Sequence, residues 1–128
     1  MSLSTAIYNL LSSSGSGQPG ALFSGKIYFG IAPQGTVLPV LIYNIVGSSA
    51  NFKSLDMTWT YENRIQMDVW VNTSEGMEQA YTLANSVANL HGSGVSGYSC
   101  LLIDSRPVFS PGPQAIRATI QARLLQQD

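Results

Sequence analysis

Charge is what this sequence has least of. Asp, Glu, Lys and Arg make up 10% of its 128 residues, against roughly 25% in an ordinary globular protein. Six basic and seven acidic residues nearly cancel, for a net charge of −1. With two lysines and no basic run, no row of phosphates can be neutralised, which argues against nucleic acid or an anionic membrane as the main partner. Cys100 is the one cysteine and His91 the one histidine. A single thiol cannot close an internal disulfide, so a stapled secreted scaffold is excluded and a reducing compartment is expected. One His and one Cys are too few for a zinc site, and neither a metal nor a cofactor is expected. The opening Met1-Ser2-Leu3-Ser4-Thr5 lacks the basic start and apolar core of a signal peptide. Long apolar runs are missing too. The stretch between Lys26 and Lys53 is uncharged, but Pro33, Gly35, Pro39 and Asn44 interrupt it well short of the ~20 residues that span a bilayer. The expectation is a soluble intracellular chain forming one domain over residues 1–128.

What is abundant is apolar and neutral-polar. Hydrophobic residues are 45% of the chain, enough to bury a core. The surface must then be covered by Ser, Asn, Gln, Thr and Gly, which suits a protein whose outside rests against other protein. Leu3, Ile7, Leu10 and Leu11 lie on one helical stripe, and the Ser- and Gly-rich residues 12–20 read as a flexible loop. Residues 26–29 form a short strand candidate. Residues 40–46 are nearly all apolar and β-branched, as in a strand covered on both faces. Residues 57–71 alternate: Ile65, Met67, Val69 and Val71 point one way, Arg64, Gln66, Asp68 and Trp70 the other. Asn72-Thr73-Ser74-Glu75 reads as a helix start with a hydroxyl cap. Met77, Tyr81, Ala84, Val87 and His91 follow at helical spacing, and Gly92 stands where a terminating glycine belongs. Residues 98–104 and 115–125 read as strands, the latter from the alternation of Ile116, Ala118, Ile120, Ala122 and Leu124. The order α-β-β-β-α-β-β implies an α+β fold, a mixed or antiparallel sheet with two helices packed on it.

Motifs for chemistry are weak. Gly15-x-Gly17-x-x-Gly20 and Gly92-x-Gly94-x-x-Gly97 match the dinucleotide pattern, but each follows a helix and leads toward a strand, the reverse of what pyrophosphate binding needs. The 92–97 stretch, like 12–20, is expected to be mobile in the free protein. A His91–Cys100 nucleophile–base pair is conceivable; a helix-end histidine and a small core cysteine account for both residues better. Asn72-Thr73-Ser74 matches a glycosylation acceptor that helix capping explains more simply. Glu62 and Asp68 share a strand face too far apart for paired acid–base work. No catalytic residue is expected. Acids gather in the middle (Asp56, Glu62, Asp68, Glu75, Glu78, opposed by Arg64) and bases late (Arg106, Arg117, Arg123, opposed by Asp104). Two readings follow: salt bridges within one sheet, or a bipolar subunit whose acidic side meets the basic side of a neighbour.

Read in order, Ala6-Ile7-Tyr8-Asn9-Leu10-Leu11, Lys26-Ile27-Tyr28, Ala32-Pro33-Gln34-Gly35, Leu38-Pro39, Ile42-Tyr43, Arg64-Ile65-Gln66-Met67-Asp68-Val69-Trp70 and a helix with Ala80, Leu83, Ala84 and Val87 resemble the small tail completion, or tail terminator, proteins of long-tailed bacteriophages and prophages. The resemblance spans nearly the whole chain. It implies a non-enzymatic α+β subunit of the virion, assembled in the host cytoplasm. The subunit would form a ring, as a hexamer, that caps the tail tube and joins it to the head connector. No catalytic residue carries over. The interface regions it implies are the turn at Pro33, Gln34, Gly35 and Pro39, a loop over 47–54 with Ser48, Ser49, Asn51 and Phe52, and exposed strand edges. Asp68, Arg117 and Arg123 join them as charged candidates from the patterning above. A neck or head-completion protein of the same machinery is the near alternative. A small α+β ligand-binding domain or enzyme, with a deep pocket, is the alternative of another class.

Overall fold

Strand alternation builds the centre of this fold. The computed structural model describes residues 3–12, 18–53, 59–94, 98, 100–104 and 106–127, without the side chains of 48–53, 59–60, 75, 100 and 127. In chain order its elements are α1 (Leu3–Leu11), α2 (Pro19–Leu22), β1 (Ile27–Phe29), β2 (Val40–Lys53), β3 (Trp59–Asn72), a 3-10 turn (Thr73–Glu75), α3 (Gly76–Ala88), β4 (Cys100–Ile103), β5 (Val108–Pro111) and β6 (Ala115–Gln127). They form an α+β domain around one six-stranded mixed sheet in the order β1-β2-β3-β6-β4, with β5 also on β6. Among the described pairings β1 on β2 is the parallel one and the rest are antiparallel. The long strands β2, β3 and β6 pair antiparallel, placing Tyr43 opposite Met67 and Met67 opposite Ile120.

The alternation decides which face is buried. Ile65, Met67, Val69 and Val71 of β3 join Leu41 and Tyr43 of β2 and Ile116, Ala118, Ile120, Ala122 and Leu124 of β6 in a single core. Helices α1 and α3 close that face, contributing Ile7, Leu10, Leu11, Ala80, Leu83, Ala84 and Val87. Spacing of three and four residues puts each set on one helical stripe, and Ala80 and Ala84 let α3 approach the strands closely. The opposite face, running through Asn44, Val46, Arg64, Gln66, Trp70, Arg117 and Gln121, is covered by no helix among the described residues. All of these are half-buried or exposed.

Several expectations change in three dimensions. Residues 12–20 are not loop throughout, because Pro19 starts the short α2, its fixed φ suiting a first helical position; residues 13–17 lie outside the described residues. β2 is covered on one face only, and Val46 is exposed. The stretch 47–53 is strand rather than loop: β2 runs to Lys53 opposite Trp59, with register shifts after Ile45 and after Ala50. Such bulges let a long strand bend while keeping its partner. The buried stripe of α3 is Ala80, Leu83, Ala84 and Val87, so Met77 and Tyr81 are exposed instead of inward. The hydroxyl cap is absent too. Asn72 makes no side-chain cap bond, and Thr73 Oγ1 donates instead to the Gly112 carbonyl in the β5–β6 turn at 3.0 Å. Gly92 does take a left-handed φ of +86°. Its N–H donates to Leu101 O and thereby ties the end of α3 to β4. Strand β5 is additional; Pro107 just before it and Pro111 as its last residue suit it to an edge.

Candidate functional site

The expected interface residues fall in separate places. Pro33, Gln34 and Gly35 are exposed at the β1 edge and Pro39 is half-buried, its peptide bond to Leu38 cis. Gly35 has a φ of +82°, and the Thr36 N–H and hydroxyl both donate to Pro33 O. This closes a turn that needs glycine at its third position. Lys26 Nζ donates to Val37 O at 2.8 Å, holding the returning arm of the loop to β1. The loop presents Ile31 and Val37 to solvent. On β2, Ser48 and Ser49 pair with Asn63 and Glu62, Phe52 pairs with Thr60, and Asn51 falls at the second register shift. Their side chains lie outside the described residues.

The charged candidates are on the helix-free face, and two of the three are engaged within the chain. Asp68 is buried; Thr119 Oγ1 donates to its Oδ1 at 2.8 Å and Gln66 Nε2 to its Oδ2 at 3.3 Å. Arg123 Nε lies 2.5 Å from Asp104 Oδ1 and 3.3 Å from Glu62 Oε1, while Arg64 Nε is 3.9 Å from the same Glu62 oxygen. The hydrogen bond Arg123 donates to Asp104, then the charge of Asp104, raise the Arg123 pKa further above the usual arginine value, with Glu62 adding a smaller effect. A cleft of about 370 Å³ lies over this cluster, lined also by Val46, Gln66 and Gln121. Its two guanidiniums already face two carboxylates, so it offers no unbalanced charge to a ligand. Arg117 is exposed, its guanidinium 5.6 Å from the centroid of the Trp70 ring, within cation–π range. Arg123 therefore follows the in-sheet reading of the charges, and Arg117 is the basic candidate left facing outward.

His91 lies beyond the end of α3, where its Nδ1 accepts the Ile103 N–H at 2.9 Å. It links helix to strand instead of capping helix carbonyls. The Cys100 side chain lies outside the described residues, as do Gly15, Gly17 and Gly97. Beside His91 runs a groove of about 700 Å³ between α3 and the β4–β5 edge, lined by Tyr81, Asn85, Ala88, His91, Ile103, Arg106, Pro107 and Phe109. The Tyr81 and Phe109 rings stack along it, centroids 6.0 Å apart. Sequence reading misses this groove. Tyr81 reads in sequence only as one position of a helical stripe, and the alternation within Pro107-Val108-Phe109-Ser110-Pro111 is the available signal for a strand. Among the described residues, no group of three or more His, Cys, Asp or Glu side chains could hold a metal ion. No helix of the described residues is long and apolar enough to cross a membrane.

The fold is similar to that of a chain in the solved virion of a native gene transfer agent (GTA) particle, with a TM-score of 0.69 at 16% identity. The match covers 98% of this chain and 95% of that one. No protein-family model and no curated protein matches the sequence.

Proposed function

We propose that this chain is a structural subunit of a phage-type virion, and within it the tail completion (tail terminator) protein. It forms a homo-oligomeric ring, of hexameric order, that caps the tail tube and joins it to the head connector. The observation that carries the reading is the fold shared along 98% of the chain with a component of a gene transfer agent virion. The 10% charge content and a sheet face without helices support a subunit that is largely interface. Open strand edges at β2 and at β4–β5 give neighbours something to pair with. The subunit needs no cofactor and performs no reaction; its work is geometric.

The test is assembly. Purified subunit is mixed with tail tubes lacking their cap, and separately with head connectors, and each mixture is sedimented and imaged. A ring seated on the tube end supports the terminator role. Binding only to the portal-side adaptor assigns a neck role instead. A monomer at every concentration, with tubes present, removes the proposal.

A further inference from the structure

We infer that the 30–38 loop of one copy seats in the groove between α3 and the β4–β5 edge of the next copy, an inference that rests on the ring reading above. The two features occupy opposite ends of the sheet: the loop follows β1, and the groove borders β4 and β5. A contact between opposite ends is heterologous. Each copy then uses one loop and one groove, and the chain of contacts closes when the rotation does.

The chemistry of the two surfaces matches. Residues 27–52 contain no Asp, Glu, Lys or Arg, so the loop brings no charge that would need desolvating. Ile31 is 82% and Val37 70% exposed, an arrangement a solvated monomer gains nothing from. Phe29, 52% exposed, adds a third apolar side chain to this surface, and interface cores are richer in such side chains than the rest of a protein surface. The groove supplies a shelf of two stacked rings, Tyr81 and Phe109, with Tyr81 59% exposed. Flat aromatic walls accept short apolar and proline-containing segments such as Ile31-Ala32-Pro33. Arg106 and Asn85 stand beside the shelf as donors for the loop's carbonyls. The Lys26–Val37 bond and the Pro33–Thr36 turn shape the loop in advance, which lowers the ordering cost of binding.

The test uses cross-linking between distinguishable copies. Ile31→Cys is made in one preparation and Asn85→Cys in another, both in a Cys100→Ala background, with Cys100→Ser as a second background if the first melts early. A short bismaleimide is added to each alone and to the mixture. Expected is a covalent dimer in the mixture alone, and a ladder ending at the ring order in the chain carrying both changes. Tyr81→Ala should weaken wild-type association at least tenfold with its melting temperature nearly unchanged. A ring that forms without the mixed cross-link, or an Ile31→Cys chain that links only to itself, overturns this contact and leaves the ring standing. A wild-type chain that stays monomeric even with tail tubes overturns both.

Discussion

At the residue scale, the arginines of β6 part company. Arg123 holds Glu62, whose side chain is 6% exposed, and removing the guanidinium leaves that carboxylate, among the described residues, with Arg64 at 3.9 Å as its one cationic neighbour. Arg123→Ala should cost about 1–3 kcal/mol, the penalty for a buried polar group losing its partner, read as a lower midpoint in denaturant. Arg117→Glu loses only a cation–π contact at the surface, about 0.5–1 kcal/mol. On the ring reading it instead weakens association in a salt-sensitive way. Equal stability losses in the two variants would contradict this division. Tyr43 makes a second residue-scale prediction. Burial, and behind it the neighbouring Tyr8, raise its phenol above the usual value, and its hydroxyl donates to Ser4 O at 3.1 Å. A group whose folded pKa is raised contributes stability that is whole below its unfolded value, about 10 for tyrosine, and is lost as pH rises through the folded value. Tyr43→Phe should therefore flatten the alkaline limb of the stability profile, measured by denaturant titration above pH 9.

At the element scale, turns and stripes carry the fold. Gly112 begins the β5–β6 turn, where an added Cβ would sit 2.8 Å from the Ala115 carbonyl oxygen. That neighbour is backbone and cannot swing aside, so Gly112→Ala should destabilise by about 1–3 kcal/mol, lowering the melting temperature while the helical signal below it persists. On α3 the two faces should respond oppositely. Leu83 is fully buried, and Leu83→Ala should cost about 2–5 kcal/mol, whereas Tyr81→Ala should cost little in the free subunit. The helical spacing was legible in the sequence; which of two adjacent stripes faced the sheet was not. Met77-Tyr81-Ala84-Val87 and Ala80-Leu83-Ala84-Val87 share residues, and the second packs inward because its small members let the helix lie close to β3 and β6. The extent of β2 was hidden for a similar reason. Gly47, Ser48 and Ser49 carry loop composition, and it is pairing with Asn63 and Glu62 that makes them strand.

At the scale of the whole molecule, all the described helices lie on one side of the sheet, and among the described residues no helix covers the other side. The structural, non-catalytic reading predicts that His91→Ala with Cys100→Ala assembles as the wild type does, apart from a small loss of stability. Tube capping beside thermal unfolding checks this, and a variant that folds and assembles yet fails in the completed particle would count against it.

Period-two alternation over Ile65–Val71 and Ile116–Leu124 was enough to specify the core strands and their inward face, because a strand has only two faces and burial chooses between them. Composition likewise announced a surface short of charge. What composition and period could not decide is adjacency between distant segments. Arg123 meets Asp104 and Glu62, Thr119 meets Asp68, and Phe109 stacks on Tyr81 only after β6 inserts between β3 and the β4–β5 edge. Of the charges that look bipolar in sequence, Glu62 and Arg123 pair inside one sheet while Arg117 stays exposed, and the loop at Ile31 and the groove at Tyr81, the latter silent in sequence, come to face outward from opposite ends of it. Local pattern sets which way a side chain points along its own strand or helix; long-range pairing sets what it finds there.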